Sequence, residues 1–214
     1  MPDPNAFEIA IKSKDSQAAI RLVRQDAMLL SAPVSGGLSP IQAAAYAGLW
    51  DLVRWLAEVG GIASLADAIL ADDAALLKTL VHAHPEQLNA YTHDGFTPLH
   101  LAAFFGRDSV AMDLISFGAD VDAVSQNELC NQPLHAAIAG AAGDDVIAAL
   151  IGRGADVASG DPPPLHIAAA NGRGTIVRLL LAKGVDPGAR SHDGRTAADL
   201  ATDAGHIEIA ELLR

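Results

Sequence analysis

The sequence predicts an all-α protein built as a solenoid of about seven stacked helix pairs. Three observations carry this. Alanine supplies about a fifth of the 214 residues and aromatic residues only 4%, which favours helices that approach closely through short side chains. A four-residue motif recurs at a nearly fixed step. Each copy is followed by two apolar stretches at helical spacing, divided by glycine-containing turns.

The motif is Thr97-Pro98-Leu99-His100, then Gln132-Pro133-Leu134-His135, Pro163-Pro164-Leu165-His166 and, degraded, Thr196-Ala197-Ala198-Asp199. The step between copies is about 33 residues, within the range of repeat proteins that stack. Thr97 can accept a backbone N–H as N-cap, and Pro98 has the backbone angle of a first helical residue, so a helix starts there. Gly106 stops it. Asp108 and Ser109 are placed to cap a second helix, whose Val110, Leu114 and Ile115 form an apolar stripe that ends at Gly118. Each unit then closes on Gly-Ala-Asp or a near relative: Gly118-Ala119-Asp120, Gly154-Ala155-Asp156 and Gly184-Val185-Asp186. Neither short helix can bury its stripe alone, and stacking the pairs does so.

The N-terminal part of the chain repeats more loosely. Ser39-Pro40-Ile41-Gln42, with Ala44, Ala45 and Gly48, precedes Thr97 and its equivalents by less than two full steps. The same shift brings Asp15, Leu22 and Val23 onto Asp73, Leu80 and Val81. Two helix pairs therefore share less than two full units of chain, and the unit from Ser39 lacks the extended segment after its second helix. One domain over residues 1–214 is expected, with units at about 5–33, 38–63, 64–91, 96–123, 131–159, 163–189 and 195–214. The outer two would act as caps.

These motifs resemble the ankyrin-repeat family, whose Thr-Pro-Leu-His-x-Ala pattern is met in full from Thr97 to Ala102. The resemblance implies an ankyrin-repeat solenoid with short β-hairpin-like fingers between units. It also implies that His100, His135 and His166 hydrogen-bond backbone between neighbouring units. Asp94-Gly95 and Asp193-Gly194 would make tight fingertip turns, with His93 and His192 exposed beside them.

Charge and motif content narrow the function. With 26 acidic against 14 basic residues and a net charge of −12, the chain repels phosphate backbones and anionic lipid surfaces, so neither nucleic acid nor membrane is expected as partner. The stretch Met1 to Asn5 has neither the basic nor the apolar region of a secretory signal, and no membrane-length apolar run occurs. A soluble cytoplasmic protein is expected, consistent with a single cysteine. Cys130 has no basic sequence neighbour to activate it. Nucleophile elbows, P-loops, dinucleotide fingerprints and His-Glu-x-x-His are missing. No enzyme, cofactor or metal is therefore expected.

The resemblance implies contact through fingertips and one face of the first helix of each pair. Carried onto this chain, the partner-binding positions are Tyr91, His93, Asp94 and Phe96 on one finger and Phe104 and Phe105 on the following helix. Tyr46 aligns with Phe104. Asn127 and Glu128 stand on an enlarged finger, and Arg190, His192 and Asp193 on the last. Four of the nine aromatic residues fall on the six positions from Tyr91 to Phe105, and exposed aromatics are common binding anchors. The expectation is a non-catalytic module that binds a partner protein or peptide. The alternative is an accessory module that holds a metal or small ligand with its fingertip histidines. A monomer is expected, with homo-oligomerisation through the aromatic patch as the other outcome.

Overall fold

The computed structural model describes residues 4–214, and part of the Met1 to Asn5 stretch read for a signal lies outside that range. Among the described residues the chain is helical, without strands, save one isolated antiparallel bridge between Arg190 and Thr196. The fingers are thus tight turns rather than β-ribbons. The chain divides into two compact units. One holds the residues to Gln87 together with Thr92–Asp94, the other Leu88–Tyr91 with Gly95–Arg214.

The first unit contains α1 (Pro4–Lys12), α2 (Ser16–Gln25), α3 (Pro40–Tyr46), α4 (Trp50–Glu58), α5 (Leu65–Leu70) and α6 (Ala74–Ala83). Side-chain caps set the starts. Asp15 accepts the Ala18 N–H at 2.8 Å and Asp73 the Leu76 N–H at 2.9 Å. Ser39 and Gln42 form a reciprocal capping box at α3. Phe7, Ile41, Leu52, Leu56, Ile69 and Leu70 are all less than 2% exposed and form the core.

Only a short turn joins α4 to α5, and at Gly61 a Cβ would stand 2.7 Å from the Leu56 carbonyl. That close approach leaves no room for a finger. The register that elsewhere holds histidine here holds Asp67, which is fully buried. Its carboxylate accepts the Ser39 hydroxyl and the Ala63 N–H, the latter at 3.1 Å, and so ties α5 back to the cap of α3.

The second unit contains α7 (Pro98–Phe104), α8 (Asp108–Ser116), α9 (Pro133–Ala139), α10 (Asp144–Gly152), α11 (Pro164–Ala170), α12 (Gly174–Ala182), α13 (Ala197–Asp203) and α14 (Ile207–Leu212). Helices α7, α9, α11 and α13 pack in one row, and α8, α10 and α12 in a second. Leu99, Leu114, Leu134, Ile138 and Ile147 lie between the rows, each less than 2% exposed. Each such side chain contributes about 2–3 kcal/mol.

Asp108 does not cap α8, because it is already the first helical residue and Arg107 takes the cap position. Its carboxylate instead accepts the Gly143 N–H at 3.0 and 3.2 Å, in the next unit. The turn there is one residue longer than its counterpart, and it brings Gly140 against Phe104 backbone so closely that a Cβ would meet the carbonyl at 2.2 Å.

Three histidines fasten unit to unit. His100 Nε2 lies 3.0 Å from the Asn131 carbonyl, His135 Nε2 3.0 Å from the Ser159 carbonyl and His166 Nε2 3.1 Å from the Arg195 carbonyl. A ring nitrogen facing a carbonyl must carry the proton, which leaves Nδ1 as acceptor. Nδ1 of His100 takes the Thr97 N–H at 3.3 Å, and Nδ1 of His135 the Gln132 N–H at 3.4 Å. Pro163 has no N–H to offer, so the buried Nδ1 of His166 has no partner.

Burial pushes the His100 and His135 pKa values below the ordinary 6.5, against the raising effect of the carbonyls they face. Below about pH 6.5 the unfolded chain therefore binds protons that the folded chain refuses, and stability falls with pH. In Ser39-Pro40-Ile41-Gln42 the glutamine amide accepts the Ser39 N–H at 3.0 Å, so glutamine can serve in this register. The wild-type urea midpoint is expected to drop between pH 7.5 and 5.5. A His100→Gln, His135→Gln variant should start lower and drop less over the same interval; equal slopes would show that these imidazoles do not set the dependence.

Candidate partner-binding surface

The expected binding residues divide between the two units. Tyr46, His93 and Asp94 belong to the first; Tyr91, Phe96, Phe104, Phe105, Asn127, Glu128, Arg190, His192 and Asp193 belong to the second.

In the first unit the fingertip residues are held rather than loose. Asp94 accepts the Thr92 hydroxyl at 2.5 Å and the Tyr46 hydroxyl. Partial burial, then this carboxylate, push the Tyr46 pKa well above the ordinary phenol value. His93 is exposed, but its ring lies about 3.1 Å from where a Gly37 Cβ would stand. A further cavity of about 230 Å³, lined by Ile11, Val34, Leu38 and Ala43, has the Glu8–Lys12 ion pair at its edge.

In the second unit Phe104 is 45% exposed at the end of α7, with the Phe105 ring edge-on to it at 5.1 Å. Tyr91 is 38% exposed, and its hydroxyl donates to the Val124 carbonyl at 3.0 Å, which pins the ring to the neighbouring finger. Phe96 is half-buried against the His100 ring, 5.9 Å away. Two rings are thus open to a partner and two are partly packed.

The enlarged finger is braced from within. The Ser125 N–H donates to the Asn131 carbonyl at 2.8 Å, and the Asn131 N–H to Ser125 Oγ at 3.0 Å. Asn127 Oδ1 accepts the Leu129 N–H at 3.0 Å and the Ser125 hydroxyl at 3.1 Å, so Asn127 shapes the turn, and Glu128 beside it is exposed. At the last finger the His192 N–H donates to Asp161 at 3.0 Å, and Arg190 donates to the Gly194 carbonyl at 2.5 Å. The Ser191 hydroxyl holds the Asp193 carboxyl below its usual range.

Sequence reasoning passed over Val124 and Leu129, which are 48% and 62% exposed on the enlarged finger. An apolar residue beside Glu128 at a fingertip was the available signal. It also passed over a cavity of about 170 Å³ between this finger and the next, walled by Leu129, Asn131, Ala139, Asp161, Pro162 and Ile167. Its facing walls come from residues one repeat apart in sequence, a separation that only the stacking closes. Among the described residues no group of three or more His, Cys, Asp or Glu side chains could hold a metal ion, and no helix is long and apolar enough to cross a membrane.

Comparison with known proteins agrees with this geometry. The family profile for ankyrin repeats, in three copies, matches residues 65–161 and 141–214. The chain belongs to the ankyrin-repeat family. Ankyrin repeats generally mediate protein–protein interaction and are typically non-catalytic. Relatives include a Caenorhabditis elegans homolog of transient receptor potential cation channel subfamily A member 1, 34% identical over 54% of this chain and 10% of the relative. The chicken nuclear factor NF-kappa-B p105 subunit is 32% identical over 55% of this chain and 12% of its own length. Mouse ankyrin repeat and SOCS box protein 16 is 37% identical over 50% of this chain and 26% of its own. The chain thus corresponds to a minor part of each.

The wall of the small interfinger cavity depends on Gly160, where a Cβ would stand 2.1 Å from His135 Nε2 and the backbone has φ +93°. Gly184 has φ +85° but open space around it. Gly184→Ala should cost only the positive-φ strain, about 1–2 kcal/mol. Gly160→Ala must also displace His135 from the Ser159 carbonyl, and a further loss of about 1–3 kcal/mol is expected. Equal losses in urea unfolding would contradict the contact.

Proposed function

We propose that this ankyrin-repeat chain is a non-catalytic, cytoplasmic binding module whose seven helix pairs present fingers and first-helix faces to a partner protein or peptide. The exposure of Phe104 and Tyr91 carries the reading. Large rings left in water are apolar area that the folded monomer does not bury by itself, and a partner that covers them gains that burial. Phe96, Phe105, Tyr46, His93, Asp94, Asn127, Glu128, Arg190, His192 and Asp193 complete the proposed contact set. The free, exposed Cys130 fits a reducing compartment, and the protein is proposed to be a monomer until its partner binds.

The test is capture of partners from the native host on the immobilised full chain, followed by titration of the captured protein. Phe104→Ala is expected to weaken that titration at least tenfold, with a thermal midpoint within a few degrees of wild type, since the ring is half in solvent. Undiminished affinity, or a large fall in the midpoint, would refute Phe104 as an anchor.

A further inference from the structure

We propose that the cavity of about 170 Å³ between the two middle fingers of the second unit seats one apolar side chain of a positively charged peptide segment of the partner. This rests on the binding reading above and specifies the chemistry of what binds.

Shape supplies the first half of the argument. Leu129, Ala139, Pro162 and Ile167 give the cavity largely apolar walls, and its volume lies below the roughly 300 Å³ at which cofactor and drug-sized sites begin. One aliphatic or aromatic side chain suits it. The walls are also fixed in advance: the Asn127 bonds brace one finger, and the tight Gly160–His135 contact fixes the other. A partner therefore spends little on ordering the site. Asn131, in the same wall, carries a buried Oδ1 with no hydrogen-bond partner.

Charge supplies the second half. Glu128, next to Leu129 on one of the two fingers, is exposed, and the chain as a whole carries a net charge of −12. Asp161 stands in the cavity wall with its side chain half exposed. Of the two arginines on the last finger, Arg195 is paired with Asp203 at 2.5 Å, while Arg190 donates to the neutral Gly194 carbonyl and keeps its charge. Each of the two fingers thus sets a carboxylate at or beside the cavity, in a chain of strongly negative net charge, which repels nucleic acid and acidic lipid and draws in a basic segment. Exposed ion pairs are individually weak, so the charges bring the segment in and the seated side chain holds it.

The probe is a random dodecapeptide library displayed on phage, selected against the full chain, with the leading peptide synthesised and titrated by fluorescence anisotropy. Selected peptides are expected to carry net positive charge and a large apolar residue. Ala139→Phe fills the cavity from an exposed position that corresponds to Phe104 one unit earlier, and should weaken the leading peptide at least tenfold. Leu129→Ser, which removes an exposed wall residue, should weaken it several-fold. Glu128→Gln with Asp161→Asn should weaken it several-fold and reduce its sensitivity to salt, since the amide oxygen of the second substitution still accepts the His192 N–H. Selection of acidic or neutral peptides, failure to select any, or affinity unchanged in both Ala139→Phe and Leu129→Ser would overturn the proposal. If that happens while Phe104→Ala still weakens the captured partner at least tenfold, the binding module stands and only the basic-segment assignment falls.

Discussion

Helices α7, α9 and α11 are seven residues long, too short to persist in water by themselves. What makes a helix of that length part of a protein is the bond from its histidine to the carbonyl of the following finger. The imidazole works in two directions: Nε2–H reaches forward to the next unit, while Nδ1, at His100 and His135, closes the start of its own helix. Capping and stacking are thereby the same event. The fingers that could meet a partner inherit their positions from it, because Asn131 and Ser159, whose carbonyls are held, lie at the bases of the two fingers that flank the small cavity. Local propensity, packing and surface geometry all meet in three side chains.

Much of this was legible because it is periodic. Proline at the first helical position, a polar residue before it and histidine three residues after that cap state where a helix begins and what its first turn will do. The short join between α4 and α5 was legible as well, from the compressed spacing between the Ser39 and Thr97 motifs. What periodicity cannot state is which partner a non-periodic side chain finds. Asp108 was placed correctly at the helix start but not in its role, because its acceptor function depends on a one-residue insertion in the next unit that brings the Gly143 N–H within reach. Asp67 was not singled out, since only stacking brings its carboxylate to the Ser39 hydroxyl one repeat earlier.

The candidate surface shows the same division. Aromatic enrichment marked Tyr91 and Phe104, whose exposure the structure gives. It also marked Phe96 and Phe105, which are half-packed, while the enlarged finger marked Asn127, which shapes a turn. Residue type sets what a side chain can do, but exposure is fixed by neighbours. Leu129 and the cavity it walls were hidden for that reason: Ala139, Pro162 and Ile167 are ordinary residues until successive units bring them to one place.

The proline that precedes the third ladder histidine has a consequence for how the chain comes apart. His166 is wholly enclosed, yet among the described residues its ring bonds only the Arg195 carbonyl, just before the α13–α14 pair. Were that pair to peel away, the imidazole would be left with two empty nitrogens in an apolar interior, a situation that favours rehydration of the whole preceding pair over a half-open intermediate. Loss of the α13–α14 pair should therefore carry the α11–α12 pair with it, a coarse, ratchet-like melting by whole repeats rather than a gradual one.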